Sequence, residues 1–157
     1  MLVFNKIRWR MMLVLMIPTV VGFGPCTTGP RFFQVIPGGV VNGEIVAEKI
    51  NDWSFIAGAG LCALETRPNY PHSVTVFCFT DNKKLFVGCM GCAEKTWSAY
   101  VANDDRARLW ARDMVYPVTM RRISDRESMQ EIWDIRNTGR EPRPMPETYW
   151  LYELTSR

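Results

Sequence analysis

The stretch from His72 to Ile123 constrains the fold most, because its hydrophobic pattern changes from strand to helix and back to strand. Residues 72–80 are rich in β-branched and aromatic side chains, and the turn-forming residues 81–83 separate them from a second extended run at 85–88. This pattern predicts a β-hairpin. The first strand carries Val74, Val76 and Cys78 on one face and Phe77 and Phe79 on the other, so one face cannot simply lie in water. A barrel strand covered outside by a helix meets this requirement.

The hydrophobic period becomes helical after this hairpin. Trp97, Tyr100 and Val101 are spaced at i, i+3 and i+4, which places them on one face of a short covering helix over residues 94–103. A second helix is expected after Ser124, because Ser124 and Glu127 have the spacing of a capping box. Gly139 is its expected end.

A second hairpin is predicted from residues 106–112 and 114–123, which alternate in polarity on either side of a turn at residue 113. Pro117 favours an edge or bulge position in the second of these strands. Residues 44–55 hold a short first strand with Trp53 and Phe55 as core side chains, and residues 61–67 and 149–154 form further strands. The chain is therefore expected to be mainly β (α+β), with six antiparallel strands and two covering helices.

The charge pattern excludes one class of function. Lys6, Arg8 and Arg10 account for the formal net charge of +3, because no acidic residue precedes Glu44. The remainder of the chain is neutral, which is not the basic surface that nucleic-acid binding requires.

The first 25 residues have the layout of an export signal or membrane anchor, with basic residues before an apolar run at 11–21. Cys26 follows directly, at the position of the lipidated cysteine in bacterial lipoproteins. An uncleaved anchor and a buried soluble helix are the alternatives. Residues 26–42 are then a Pro- and Gly-containing tether, and residues 43–157 the folded domain. The expected location is the cell envelope, with the domain outside the cytoplasm.

Several short motifs resemble a known family when taken in order. They are His72-Ser-Val-Thr-Val, Lys84-Leu-Phe-Val-Gly88, Lys95-Thr-Trp97, Val101-Ala-Asn-Asp104, Ala107-Arg-Leu109 and Val115-Tyr-Pro-Val118. This order is similar to the split β-barrel of the pyridoxamine 5'-phosphate oxidase-like flavoproteins, and in particular to the deazaflavin-dependent nitroreductase branch and its lipoprotein-like relatives. The chain departs from that branch at Glu65-Thr-Arg-Pro68, where the branch has a Gly-rich phosphate loop, at Tyr100, where it has Asn, and at Cys89-Met-Gly-Cys92.

The resemblance implies a cofactor, FMN or a deazaflavin, with its phosphate held by basic and hydroxyl side chains. Lys95 and Thr96 in the first turn of the predicted helix are the leading candidates, since free backbone N–H groups at a helix start favour an anion. Arg67, Ser73 and Thr75 are further candidates. The alternative for each is an ordinary surface or strand-edge role. Split barrels also commonly dimerise, so a homodimer is expected.

Side chains for other chemistries are sparse. His72 is the single histidine, so no catalytic triad or histidine-based metal site can include a second one. Cys89 and Cys92 form a C-x-x-C motif that is open to a disulfide, redox exchange or zinc; in an exported protein a disulfide is expected, either between them or to a strand cysteine. Cys62 and Cys78 are expected to be small core residues.

These observations lead to an expected function without a predicted catalytic residue. The chain is expected to be an envelope protein that binds a flavin-like cofactor and transfers hydride or electrons to a small molecule. The alternative is a non-enzymatic binding or structural module, for haem or another planar ligand.

Overall fold

The computed structural model describes residues 38–157, which form seven strands and two α-helices. The strands are β1 (Glu44–Ile45), β2 (Gly60–Thr66), β3 (His72–Asp81), β4 (Lys84–Met90), β5 (Arg106–Ala111), β6 (Met114–Ile123) and β7 (Tyr149–Ser156). The helices are α1 (Thr96–Asn103) and α2 (Arg126–Arg136). Short 3₁₀ turns at Ser54–Ile56 and Cys92–Glu94 complete the regular structure of this part of the chain.

Strands β2 to β7 close into an antiparallel barrel in the order β6, β5, β2, β3, β4, β7, and β7 pairs back with β6. The additional β1 pairs in parallel with the start of β6. The predicted six-stranded antiparallel barrel with two helices is therefore confirmed. Closure leaves none of these six strands with an unpaired edge along its whole length.

The barrel interior is filled by alternate side chains of every strand, as the period of two requires. From β3, for example, Val76 and Cys78 point inward beside Leu64 of β2 and Leu109 of β5. Helix α1 closes one end, because Trp97 and Val101 pack into the same interior cluster. Helix α1, which was predicted to cover the outside of the barrel, instead closes its end.

Helix α2 covers the outer face of the barrel. Its buried Met129 and Trp133 pack with Phe86, Tyr149 and Leu151 in a second apolar cluster, which Phe79 also contacts. This cluster explains why β3 carries apolar side chains on both faces.

The β3–β4 turn and Pro117 occupy the positions expected from sequence. The β3–β4 turn places Asn82 and Lys83 at φ of 45° and 68°, the left-handed geometry of a tight hairpin. Pro117 lies in β6 between Val115, where pairing with β1 ends, and Val118, where pairing with β7 begins. The missing N–H of proline therefore falls at a local edge, which confirms the prediction.

The short first strand expected in residues 44–55 is the two-residue β1, and Trp53 is buried as predicted. Three other local predictions were wrong. Phe55, predicted to be a core side chain, lies on a 3₁₀ turn with 44% of its surface exposed, while its neighbour Ile56 is buried. The cap of α2 is Asp125 rather than Ser124, because the Asp125 carboxylate accepts a hydrogen bond from the backbone N–H of Ser128 at 2.8 Å. Helix α2 ends at Arg136, before Gly139.

The predicted export signal and Cys26 lie outside the described residues. Within residues 38–157, no helix is both long and apolar enough to span a bilayer. The folded domain was predicted to begin at residue 43, but earlier residues also pack against it. Val41 is buried, and its backbone N–H donates a hydrogen bond to the Glu65 carboxylate at 2.7 Å.

Candidate functional site

The predicted site residues on α1 and on the β2–β3 turn lie at the same end of the barrel. Strands β2, β4 and β6 all end there, and their antiparallel neighbours β3, β5 and β7 begin there. Helix α1 closes this end and contacts both β2 and β3. The turn after β2, which contains Arg67, therefore lies beside α1.

A disulfide fixes the start of α1 to the barrel. Cys89, at the end of β4, is bonded to Cys92 in the 3₁₀ turn that precedes the helix. The carbonyl oxygen of Cys92 then accepts hydrogen bonds from the backbone N–H of Lys95 at 3.1 Å and from the hydroxyl of Ser98 at 2.5 Å. The predicted disulfide is confirmed, and it positions the first turn of α1 relative to β4.

Lys95 and Thr96 are both exposed at the start of α1. Lys95 is the N-cap residue, and no side chain accepts a hydrogen bond from the first backbone N–H groups of the helix. The Ser98 hydroxyl, which lies in this turn, is a donor to the carbonyl oxygens of Cys92 and Lys95. The N–H groups of this turn are available to an anionic group, and Lys95 forms no ion pair with any residue the structure describes.

Arg67 is held by aromatic rings beside α1. Its guanidinium carbon lies 4.7 Å from the Tyr70 ring centroid and 4.8 Å from that of Tyr100, and its Nη1 donates to the Tyr100 hydroxyl at 3.2 Å. The His72 ring packs edge-on against Tyr100 at 5.7 Å between centroids. Arg67 also has a φ of 58°, a left-handed value that is unusual for a residue with a side chain. Tyr100 therefore contacts both Arg67 and His72 at this end of the barrel.

A further cation at this end was missed by sequence reasoning. The guanidinium carbon of Arg122 lies 3.4 Å from the Trp150 ring centroid. Trp150 is the strand partner of Cys89, one of the two disulfide cysteines, in the β4–β7 pair. Arg122 forms no ion pair within residues 38–157. Burial raises the pKa of the Tyr152 hydroxyl, and the positive charge of Arg122 offsets part of this rise. The sequence signal was faint: Arg122 belongs to the inward-facing set of β6, two residues after the buried Met120.

Ser73 and Thr75 lie on the outer face of β3. Ser73 is buried and is paired with Glu65, whereas Thr75 is exposed and paired with Ala63. Ser73 lies near the start of β3 and so at the α1 end, but both hydroxyls are on the side of the sheet that faces away from the barrel interior.

Within residues 38–157, the two cysteines outside the disulfide are structural. Cys62 and Cys78 are buried free thiols, as predicted, and burial raises the pKa of Cys78, which keeps it protonated and unreactive. No group of three or more potential metal ligands occurs in residues 38–157. These residues therefore offer no zinc site.

The architecture belongs to a class with known structures. A candidate pyridoxamine 5'-phosphate oxidase from Listeria innocua superposes with a TM-score of 0.51 and 10% identity, over 62% of this chain and 84% of that one. A candidate 5-nitroimidazole antibiotic resistance protein from Bacteroides thetaiotaomicron superposes with a TM-score of 0.51 and 12% identity, over 71% of this chain and 81% of that one. An F420 reductase superposes with a TM-score of 0.50 and 11% identity, over 71% of this chain and 96% of that one.

These likenesses show that the chain has the split-barrel fold of pyridoxamine 5'-phosphate oxidase-like proteins, which confirms the resemblance at the level of fold. No protein-family model matches the chain, and the search of curated proteins finds no similar sequence.

Proposed function

We propose that the chain binds a flavin-type cofactor, FMN or a deazaflavin, at the barrel end closed by α1, and uses it in redox chemistry on a small molecule. One observation carries this proposal: Lys95, Arg67 and Arg122 are three cations at the same end of the barrel, and no described carboxylate pairs with any of them. Other cations of the barrel, including Lys84, Arg108 and Arg121, each have an acidic partner. Unpaired cations beside free backbone N–H groups match an anionic phosphate.

The residues present fit such a group. The uncapped N–H groups at the start of α1 and the Lys95 ammonium would hold the phosphate, and the Thr96 hydroxyl would add a donor. The Trp150 and Tyr100 rings lie at the same end, each with an arginine against it. A flavin, when bound, supplies hydride or electron transfer, so the protein needs to provide position and polarity rather than a catalytic triad. The structural neighbours include an F420 reductase, which supports this chemistry.

The test is FMN titration, followed by flavin fluorescence quenching, of the wild type, Lys95→Ala and a matched control. Losing a charge-assisted contact costs roughly 1.5–3 kcal/mol, so Lys95→Ala should weaken FMN binding about tenfold to hundredfold. Lys83→Ala is the control, because Lys83 lies in the β3–β4 turn at the opposite end and pairs with Asp52. Equal affinity of the wild type and Lys95→Ala would remove Lys95 from the site.

A non-enzymatic binding module is the second candidate, and one contact favours it. Arg67 is already engaged by Tyr70 and Tyr100, whose rings lie at this end of the barrel. A planar ligand such as haem could stack at this aromatic end without a phosphate grip. The absorption spectrum of the purified protein distinguishes the candidates, since bound flavin and bound haem absorb at different wavelengths.

The proposed location is the cell envelope, with the barrel outside the cytoplasm. Support comes from the basic and apolar pattern of residues 1–25 and from the Cys89–Cys92 disulfide, a bond that is typical of oxidising compartments. Fractionation of a tagged chain tests the location, and mass spectrometry of the alkylated, unreduced protein tests the bond. A soluble cytoplasmic pool with Cys89 and Cys92 both alkylated would contradict this part of the proposal.

A homodimer is also proposed, with the outer face of β2 and β4 as its interface. Leu61 and Met90 lie on this face with 61% and 50% of their surfaces exposed, and large exposed apolar side chains favour association. Light scattering of the purified protein measures the mass, and Leu61→Lys should shift a dimer toward monomer.

A further inference from the structure

Helix α1 is short, and its first turn lacks the features that usually stabilise a helix start. The helix has eight residues, and an isolated helix of that length is marginal in water. Within residues 38–157, no side chain caps its N-terminus, and no acidic residue in its first turn complements the helix dipole. The conformation of this turn therefore depends on its contacts with the rest of the barrel.

Two buried residues anchor the ends of an exposed segment at this helix start. Residues 93–96 are all exposed. On the helix side, Trp97 is 5% exposed and packs into the barrel interior. On the other side, Cys92 is fully buried and is bonded to Cys89 at the end of β4. The exposed segment, which includes Lys95, therefore lies between one noncovalent anchor and one covalent anchor.

Cys92 connects the disulfide to the first turn of α1. Its carbonyl oxygen accepts hydrogen bonds from the backbone N–H of Lys95 and from the hydroxyl of Ser98. Another backbone bond of the 3₁₀ turn is long, since the N–H of Glu94 donates to the carbonyl oxygen of Gly91 at 3.3 Å. N–H···O distances in proteins are typically about 2.9–3.0 Å. Movement of Cys92 away from β4 would therefore disturb the first turn of the helix as well.

We propose that the Cys89–Cys92 disulfide regulates cofactor binding at the start of α1. With the bond formed, Cys92 is held against β4, and the uncapped N–H groups of the first turn keep a fixed arrangement. With two thiols instead, this turn opens more often and holds the cofactor phosphate less tightly. The inference rests on the proposed function and adds its regulation: the chain holds its cofactor tightly only where the disulfide forms.

The redox step is a thiol–disulfide exchange. The thiols of Cys89 and Cys92 give up two electrons and two protons, and the disulfide oxidant that takes them up becomes two thiols. An oxidising compartment supplies such an oxidant, whereas a reducing compartment keeps the cysteines as thiols. Both cysteines are buried in the folded chain, so the bond, once formed, changes state only when the turn opens locally.

Thermodynamic linkage relates the disulfide to the cofactor in both directions. If the disulfide strengthens FMN binding by a given factor, bound FMN stabilises the disulfide relative to the dithiol by the same factor. The two cysteines are three positions apart, so the bond closes a short loop and restricts the open chain only modestly. The expected factor is about three to ten.

Amide hydrogen exchange, followed by NMR without any ligand, tests whether the disulfide holds the turn. The forms compared are the oxidised protein, the same protein reduced with dithiothreitol, and Cys89→Ala/Cys92→Ala. The hydrogen-bonded amides of Glu94 and Lys95 should exchange about three- to tenfold faster in both forms without the bond, while amides in the middle of β6 should not change. Dithiothreitol should have no effect on the double variant, which controls for other actions of the reductant.

FMN titration of the same three forms tests the effect on the site. FMN affinity should fall about three- to tenfold in both forms without the disulfide, and bound FMN should slow the reduction of the wild type by dithiothreitol. Cys78→Ala is the matched control, because Cys78 is also buried but lies outside the bond. This variant should leave both the exchange rates of the turn and the FMN affinity unchanged.

The outcomes separate the regulation from the proposed function. No FMN binding by the oxidised protein would contradict the proposed function, and the regulation with it. FMN binding that is equally tight with and without the disulfide, or unchanged exchange at Glu94 and Lys95 after reduction, would overturn the regulation alone. If the double variant does not fold by circular dichroism, the reduced wild type decides by the same two measurements.

Discussion

Arg108→Ala is expected to destabilise the fold by about 3 kcal/mol, because it leaves the Glu65 carboxylate buried without its main partner. Glu65 is 2% exposed and accepts hydrogen bonds from Arg108 Nε at 2.7 Å and Nη2 at 2.8 Å. Removing one partner of a buried ion pair costs about 3–5 kcal/mol. The Arg108 side chain is 30% exposed and the Val41 N–H remains bonded to Glu65, so we expect the lower part of that range.

The control is Arg106→Ala, on the same face of the same strand. Arg106 makes an equally close pair with Asp104, through Nε at 2.8 Å and Nη2 at 2.6 Å. The two side chains of this pair are 47% and 29% exposed, however, and exposed pairs contribute only about 0–1 kcal/mol. The two variants therefore differ chiefly in the burial of the carboxylate that is left behind.

Urea unfolding at neutral pH measures both variants. With a slope of about 1–3 kcal/mol per molar urea, Arg108→Ala should lower the midpoint by on the order of 1–3 M, and Arg106→Ala should lower it far less. Adding Glu65→Gln to Arg108→Ala should recover part of the loss, since a neutral amide is cheaper to bury than a charge. Equal losses in the two single variants would refute the reasoning from burial.

Three further changes test the packing and the electrostatics. Gly88→Ala should cost about 1–3 kcal/mol, because its Cβ would overlap the Tyr149 hydroxyl and ring; differential scanning calorimetry should show a lower Tm, with a smaller loss when Tyr149→Phe is added. Hydrogen bonds from Arg106 lower the pKa of Asp104 to about 2, so this pair stabilises the fold fully above pH of about 4 and progressively less as the pH falls toward 2. NMR titration should show that Arg106→Ala returns the Asp104 pKa toward 3.8. Trp97→Ala should cost about 3–5 kcal/mol, because this 5% exposed side chain fills the barrel end; a loss below 1 kcal/mol in chemical denaturation would contradict its role as a plug.

Sequence patterns predicted the strands well, because barrel strands alternate their side chains with a period that can be read directly. The two apolar faces of β3 even indicated an outer cover, which α2 provides through Trp133. The same patterns placed α1 outside rather than in the barrel end. An apolar helical stripe shows that one face is buried, but not which surface buries it.

The candidate site was harder to predict, because it depends on residues distant in sequence. Nothing local to Arg122 indicates that it stacks on Trp150, and nothing local to Arg67 indicates that Tyr100 will hold it. Ser73 and Thr75 were assigned to the site by resemblance, although their alternation with Val74 places them on the outer face. The cap of α2 moved by one residue because Ser124 and Asp125 are both good capping residues, and the local pattern does not rank them.

The closure of the barrel has a consequence for how fast the chain folds. The hairpins β3–β4 and β5–β6 join neighbouring segments, but closure requires β7 to insert between β4 and β6, with Leu85 pairing to Leu154 and Met120 to the same residue. Contacts between such distant segments slow folding, typically to milliseconds or seconds, because the intervening chain loses entropy before the strands meet. In any partly folded form in which β7 has not docked, β4 and β6 would both present open backbone edges to other molecules, and such a form would be prone to aggregate.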